Sequence, residues 1–262
     1  MCRIIVASGN IDVAKILDSI ILMAKDRNSL HELNRQNQGR WQHADGWGVA
    51  YLNQKGTFTI AKSPQAIFDD PTVKKLYDLK TSLLIAHVRR KAGSEISIEN
   101  THPFKAKHSQ LGECVFCHNG MVEDEITFDP RFKTQGKTDS ERLFYSILSD
   151  IKDNHPKNIS NTIRNNLKTY TKTKGTNIVL STKDKTFIAM RKNELPKYYG
   201  MVLAKGNDFI VISSEKLKMF PNISWKSVLP GEVVIIQNGT SQFSLSKEKT
   251  SFLQKLAAII RN

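Results

Sequence analysis

Residues 1–10 read MCRIIVASGN, with a cysteine placed directly before a short apolar run. The run at 3–7 predicts a short buried strand that has Cys2 at its mouth. The segment lacks the basic region, long apolar core and small-residue cleavage site of a signal peptide, so we expect a mature terminus that differs only by the loss of Met1. Cysteine is small enough to permit that removal, which would give Cys2 a free α-amino group beside its own thiol.

The composition is that of an ordinary globular protein, with 262 residues of which 39% are hydrophobic and 24% are charged. This length suffices for one large domain or two small ones. No run of about 18 apolar residues is present, so we expect no membrane span. Three cysteines are too few, and odd in number, for a disulfide framework, which favours a reducing compartment. The sequence therefore predicts a cytoplasmic protein.

The net charge of +14 would suit a protein that binds nucleic acid. The Lys and Arg residues are nevertheless scattered, with short clusters at 74–75, 89–91, 183–185 and 247–249 and no long basic tail. Net charge bears on solubility and nonspecific binding rather than on fold, which favours a solvated basic surface. We expect no specific nucleic-acid partner.

Apolar periodicity predicts strands and helices in separate blocks. The predicted helices lie at 12–26, 70–79, 139–152, about 159–169 and 251–262. The predicted strands lie at 3–7, 46–52, 57–61, 82–88 and 113–118, followed by six more between 176 and 246. Such blocks favour an α+β layered fold over regular βαβ alternation. The polar stretch 153–177 is the one candidate boundary, so we expect a single domain over 1–262.

The segment ECVFCHNG contains the C-x-x-C-H pattern of c-type haem attachment, and its cysteines and histidine could begin a zinc site. Haem attachment would require an export route, and zinc would require further ligands at similar spacing. Strand alternation gives a simpler interpretation, in which Cys114 and His118 face one side and Val115 and Cys117 face the other. The cysteines then pack as small hydrophobic residues, and we expect no metal.

His118, Asn119 and Gly120 stand at the end of this apolar strand. Asn-Gly is a strong turn signal, and the dipeptide alone favours a turn. The functional alternative is an oxyanion hole, in which the Asn119 side-chain NH2 and the Gly120 backbone N–H point at a developing negative oxygen.

Two further segments place charged side chains at the ends of predicted elements. In AHVRRKAGS (86–94), Arg89 follows a strand, where its guanidinium could bind a carboxylate through two hydrogen bonds. The alternative for Arg89 is an exposed basic loop. In TDSE, Thr138 and Glu141 have the spacing of a capping box at a helix start. Asp139 is then free to offer its carboxylate to a cationic group.

Together these segments resemble the class II glutamine amidotransferases, which are N-terminal nucleophile hydrolases, and in particular their stand-alone members. The resemblance covers nearly the whole chain and rests on an ordered set of motifs. These are Cys2, HADGWGVAYL (43–52), AHVRRKAG (86–93), NTHPF (100–104), FCHNG (116–120), TDSE (138–141) and SSEKL (213–217). Their order is far more specific than any one motif.

The resemblance implies roles for five residues. Cys2 would be the nucleophile, with Asn119 and Gly120 forming the oxyanion hole. Arg89 would bind the substrate α-carboxylate and Asp139 its α-ammonium group. An α-amino group, whose ordinary pKa is about 7.7 to 8.0, can accept the thiol proton of its own residue near neutral pH. Attack on the side-chain amide would give a tetrahedral oxyanion, then a thioester and ammonia, and water would release glutamate.

The surrounding residues are expected to support this site. Residues 43–47 resemble the family segment that packs close to the nucleophile, and His87 and His102 are interpreted as hydrogen-bonded core or loop residues rather than bases. One departure lies after Arg89, where several amidotransferases carry a hydroxyl or imidazole and this chain has KAG at 91–93.

The resemblance implies a four-layer αββα sandwich that acts on glutamine or a gamma-glutamyl amide and needs no cofactor. No second catalytic domain is recognised, so we expect either a separate ammonia-accepting enzyme as partner or hydrolysis for its own sake. The alternatives are a catalytically silent binding module on the same fold and a basic nucleic-acid-associated protein. Loss of Cys2 or of the Asn-Gly pair would favour the silent module, and both are present.

Overall fold

The computed structural model describes residues 2–248, and the predicted final helix at 251–262 lies outside this range. The α-helices of this range are α1 (Val13–Ala24), α2 (Asp139–Asp150) and α3 (Pro156–Thr169). Its strands are β1 (Arg3–Gly9), β2 (Trp47–Leu52), β3 (Phe58–Ser63), β4 (Leu83–Val88), β5 (Phe104–His108), β6 (Gly112–Val122), β7 (Thr173–Ser181), β8 (Lys185–Met190), β9 (Val202–Lys205), β10 (Phe209–Ser213), β11 (Trp225–Ser227), β12 (Val233–Gln237) and β13 (Phe243–Ser246). No helix among the described residues is long and apolar enough to cross a membrane.

The strands form two antiparallel sheets. The first sheet has the order β11-β9-β10-β1-β4-β2-β3, which places β1 at its centre. The second has the order β13-β12-β8-β7-β6-β5. Each strand of a pair runs antiparallel to its neighbour, as the hairpin prediction for β2 and β3 required.

Three apolar layers hold these elements together. Helix α1 packs on the outer face of the first sheet against residues such as Ile5. Ile4 of β1 and Val115 of β6 meet between the two sheets. Helices α2 and α3 cover the outer face of the second sheet, where Phe144 packs against Phe116. The four-layer αββα prediction is therefore confirmed.

Local details differ from the sequence predictions in three respects. The helix expected at 70–79 is a short 3-10 helix, Pro71–Leu76, capped by the Asp70 side chain. Strand β6 does not end at residue 118 but continues to Val122. Strands β5 and β11 were not predicted, because β11 has three residues and the alternation in β5, FKAKH, includes only two apolar residues.

A buried ion pair fixes the start of β1. The Arg3 Nε lies 2.8 Å from the Glu215 Oε1 in the loop that follows β10, and both side chains are buried. The Arg3 Nη1 also donates to the Tyr198 carbonyl oxygen at 2.7 Å. Glu215 in turn accepts hydrogen bonds from the Asn28 and Ser29 side chains at 2.7 and 2.6 Å. Arg3 and Glu215 thus join β1 to two distant loops.

The substitution Glu215→Gln should destabilise the fold strongly, because it leaves the Arg3 charge buried and uncompensated. Breaking a buried pair in this way costs about 3 to 5 kcal/mol in the free energy of unfolding, which urea denaturation would measure. The matched control is Glu248→Gln, since Glu248 pairs with Lys168 at 2.5 Å while both side chains are exposed. The control should change stability little. Equal losses in the two variants would contradict the importance given to the buried pair.

Candidate functional site

Cys2 lies between the two sheets at the mouth of β1. Side chains alternate along a strand, so Cys2 and Ile4 face the second sheet while Arg3 faces the helix side. The Cys2 backbone nitrogen donates to the Asn119 Oδ1 at 2.7 Å. Asn119 is fully buried, and its Nδ2 has no hydrogen-bond partner among residues 2–248. Asn119 thus contacts the nucleophile candidate and keeps one donor available.

The Asn119–Gly120 pair lies within strand β6, so the turn interpretation is wrong. Strand β7 continues the pairing on both sides, with Asn119 opposite Asn177 and Gly120 opposite Gly175. The register shifts between the two pairs, which is a β-bulge. A Cβ added at Gly120 would lie 2.5 Å from the Thr176 nitrogen and 2.9 Å from the Lys174 oxygen. Glycine is therefore required by close backbone packing.

Three buried histidines lie beside this strand. The rings of His87 and His102 stack with centroids 4.2 Å apart, and the His118 Nδ1 lies 2.9 Å from the Ser140 Oγ. Burial lowers the pKa of His118 to about 4 and holds the pKa of His102 well below its usual range. His102 and His118 are therefore neutral at physiological pH.

The Cys2 thiol differs sharply from the other two cysteines in its acidity. Burial acts to raise the Cys2 pKa, but the charges of the amino terminus and of His87, and hydrogen bonds from His87 and the Arg90 backbone, lower it to about 6. Burial raises the pKa of Cys114 to about 12 and that of Cys117 well above its usual range. Cys2 therefore has the most acidic thiol of the three.

His87 is the residue of this site that sequence reasoning placed in the core without a role. It lies in β4, two residues beyond Ile85, and both side chains face the space between the sheets. Its Nε2 lies 3.4 Å from the His118 carbonyl oxygen, and its proximity helps lower the pKa of the Cys2 thiol. The two-residue spacing from Ile85 was the signal in the sequence that His87 faces the space between the sheets.

Arg89 follows β4 directly and is buried, so the interpretation as an exposed basic loop is wrong. Its backbone nitrogen donates to the Gly46 carbonyl at 2.8 Å, and its carbonyl accepts from the Asp45 nitrogen at 2.9 Å. Its Nη2 donates to the Ser94 Oγ at 2.7 Å and to the Glu95 carbonyl at 3.1 Å. Ser94, which follows residues 91–93, thus places a hydroxyl beside the Arg89 guanidinium.

Asp139 is the first residue of α2, and its Oδ2 accepts a hydrogen bond from the Val122 nitrogen at 2.8 Å. The predicted capping box is only half formed. The Thr138 hydroxyl accepts from the Glu141 nitrogen at 3.2 Å, as expected. The Glu141 carboxylate instead accepts from the backbone nitrogens of residues 135 and 136. The hydrogen bond from the Val122 nitrogen holds Asp139 against the end of β6.

A surface cavity of about 360 Å³ joins the Arg89 loop to the start of α2. Its walls are residues 92–95, 121–123 and 137–139, which include Ser94 and Asp139. Residues 121–123 directly follow the Asn119–Gly120 pair along the chain. Pockets of about 300 to 1,000 Å³ are typical for small ligands, so this cavity can hold an amino acid. Neither Cys2 nor Asn119 lines it.

The fold matches solved structures of amidotransferases. The chain covers 49% of the B. subtilis glutamine phosphoribosylpyrophosphate amidotransferase with a TM-score of 0.63 and 18% identity, over 94% of its own length. It covers 100% of a glutamine aminotransferase class-II domain protein from Silicibacter pomeroyi with a TM-score of 0.61 and 18% identity, over 95% of its own length. These likenesses support the N-terminal nucleophile sandwich.

Sequence comparisons agree with the structural ones. The Escherichia coli (strain K12) protein "Putative glutamine amidotransferase YafJ" is 31% identical over 132 residues, which are 49% of this chain and 51% of that protein. A similarly named Haemophilus influenzae protein is 33% identical over 114 residues, 42% of this chain and 38% of that protein. The chain therefore matches about half or less of these relatives' length.

The family model of the class-II glutamine amidotransferases matches residues 28–199, more than half of the 262-residue chain. The matched range includes Arg89, Asn119, Gly120 and Asp139, whereas Cys2 precedes it. The chain belongs to the class-II glutamine amidotransferases.

Proposed function

We propose that this protein hydrolyses the side-chain amide of glutamine or of a gamma-glutamyl compound, with Cys2 as nucleophile. The observation that carries the proposal is the Asn119 side chain, which bonds the Cys2 backbone through Oδ1 at 2.7 Å and keeps Nδ2 without a partner within residues 2–248. A buried donor left unpaired costs about 1 to 3 kcal/mol, so such groups mark sites where a ligand supplies the acceptor. An oxyanion formed on the carbon that Cys2 attacks would be that acceptor.

The nucleophile works as a thiolate paired with an amine. Removal of Met1 places the α-amino group on Cys2 itself, and an α-amine ordinarily has a pKa of about 7.7 to 8.0. The positive charge of the amino terminus, here on Met1, helps lower the pKa of the Cys2 thiol to about 6, and the α-ammonium group of the trimmed protein would stabilise the thiolate in the same way. His87 also acts to lower the pKa of this thiol.

The reaction then proceeds through an acyl-enzyme. The sulfur attacks the amide carbon, and the carbonyl electron pair moves to the oxygen, which Asn119 and the Gly120 N–H stabilise. The α-ammonium group of Cys2 gives its proton to the amide nitrogen, and the C–N bond breaks. Ammonia departs, and the glutamyl group remains on Cys2 as a thioester. The freed amine takes a proton from water, whose oxygen attacks the thioester and releases glutamate.

Arg89 and Asp139 are proposed to bind the α-carboxylate and the α-ammonium group of the substrate. Asp139 lies in the wall of the cavity of about 360 Å³, whereas Arg89 lies behind that wall and donates hydrogen bonds to Ser94 and Glu95. Met121 and Val122 of that wall lead to Gly120, so a glutamyl side chain entering there would run toward the oxyanion hole. A separate ammonia-accepting enzyme is the proposed partner. A screen for proteins that use the released ammonia would test this part of the proposal.

Purified protein should release equal amounts of ammonia and glutamate from glutamine or from a gamma-glutamyl amide. Cys2→Ala should abolish this release, and Asn119→Ala should lower kcat by about 10² to 10³, the usual loss for one oxyanion donor. Cys114→Ala is the matched control, because Cys114 packs on the helix side of the second sheet and should leave turnover intact. Turnover that survives Cys2→Ala would overturn the proposal.

Alkylation by iodoacetamide should report the acidity of Cys2. The thiolate is the reactive form, so the rate of Cys2 labelling should rise with pH through about 6 and be flat above it. Peptide mapping by mass spectrometry would give the rate for each cysteine. Cys114, with its pKa raised to about 12, is the internal control and should remain unlabelled at neutral pH. A midpoint near the ordinary thiol value of about 8.5 would contradict the thiolate assignment.

A further inference from the structure

Asn177 lies beside Asn119 in the sheet. The two residues are direct partners in the β6–β7 pairing, and both are completely buried. Their strand neighbours Cys117 and Val179 pack between the two sheets, so alternation places both asparagine side chains on that same face. Directly opposed residues have Cβ atoms about 4.5 to 5.5 Å apart. The Asn177 side chain is thus the direct cross-strand neighbour of Asn119, the oxyanion-hole candidate.

The orientation of the Asn177 amide is determined by a backbone carbonyl. Its Nδ2 donates to the Tyr199 oxygen at 2.6 Å, and an amide nitrogen rather than an oxygen must face a carbonyl. The Oδ1 is therefore directed away from Tyr199. That oxygen is buried and has no hydrogen-bond partner among the described residues, as is also true of the Asn119 Nδ2. The pair leaves one acceptor and one donor unpaired on neighbouring side chains.

The backbone around Asn177 is distorted at the same place. Thr176 is the extra residue of the bulge, since Asn177 pairs with Asn119 and Gly175 pairs with Gly120. Its φ of 108° is costly for a β-branched residue, by about 1 to 3 kcal/mol. Bulges near active sites commonly re-aim a side chain. The bulge here sets the direction of Asn177 relative to Asn119.

We propose that the Asn177 Oδ1 accepts a hydrogen bond from the N–H of the substrate's scissile amide while the Asn119 Nδ2 donates to its oxygen. A primary amide offers one acceptor oxygen and an NH2 donor, which complement the two unpaired asparagine atoms. No proton moves to Asn177, because the departing nitrogen keeps its N–H donors when it becomes ammonia. This assignment rests on the proposed function and makes Asn177 a determinant of amide over ester substrates.

The test compares glutamine with the glutamate γ-methyl ester, which has the same carbonyl oxygen and no N–H. Glutamate release gives kcat/KM for both substrates. Asn177→Ala should lower the value for glutamine about tenfold more than the value for the ester, the loss expected for one hydrogen bond of about 1.4 kcal/mol. Asn119→Ala is the matched control and should slow both substrates alike, because the oxygen is common to both.

Asn177→Ser provides a second variant should the alanine protein fail to fold, since its short hydroxyl cannot both hold Tyr199 and reach the substrate. Equal losses for amide and ester, or no loss for either, would overturn the role of Asn177 while leaving the proposed hydrolysis intact. If the wild-type protein releases glutamate from neither compound and from no gamma-glutamyl amide, the proposed function itself fails and the role of Asn177 falls with it.

Discussion

The ion pair between Arg3 and Glu215 is the interaction on which the position of Cys2 depends. Arg3 directly follows Cys2, and its guanidinium lies 3.9 Å from the Tyr198 ring centre while contacting Glu215 at 2.8 Å. Strand alternation sends this charged side chain to one face of the sheet and the thiol to the other. A buried charge is tolerable only when it is paired, so the start of β1 has little freedom to shift.

Arg3 also takes part in a connection between the two sheets through two adjacent backbone carbonyls. The Tyr198 oxygen accepts from Arg3 of the first sheet, and the Tyr199 oxygen accepts from Asn177 of the second. Asn177 lies opposite Asn119, and the Asn119 Oδ1 accepts a hydrogen bond from the Cys2 nitrogen. These contacts therefore lead from Arg3 through the second sheet back to its neighbour Cys2. The distance between Cys2 and Asn119 is thus set by hydrogen bonds on both sides of β1. Such support is what holds catalytic groups within the tolerance that chemistry requires.

Much of the fold could be predicted from the sequence because its signals are local. The alternation around Cys114 and Cys117 predicted that they face different layers, and the structure confirms this. The turn expected at Asn119 was wrong, because the dipeptide pattern carries no information about pairing with β7, a strand more than 50 residues farther along the chain. Asn177 was missed for the same reason.

The single-domain prediction over 1–262 and the roles of the individual site residues stay predictions. Arg89 illustrates why sequence leaves such questions open. Its burial and its contact with the Ser94 hydroxyl depend on a loop that folds back over six residues, and neither follows from the basic composition of the segment. The polar stretch 153–177 was considered as a domain boundary. It contains helix α3, whose Ile163 packs into the core between the helices and the second sheet.

The most direct test of the account is covalent labelling with a glutamine analogue that carries a diazoketone in place of the side-chain amide. A nucleophile bound at the amide position would displace nitrogen from the protonated diazo carbon and form a thioether, which mass spectrometry can locate. The account predicts one adduct, on Cys2 at an amino terminus that has lost Met1, and protection by excess glutamine. An adduct on Cys114 or Cys117, or no adduct on a protein that binds glutamine, would contradict it.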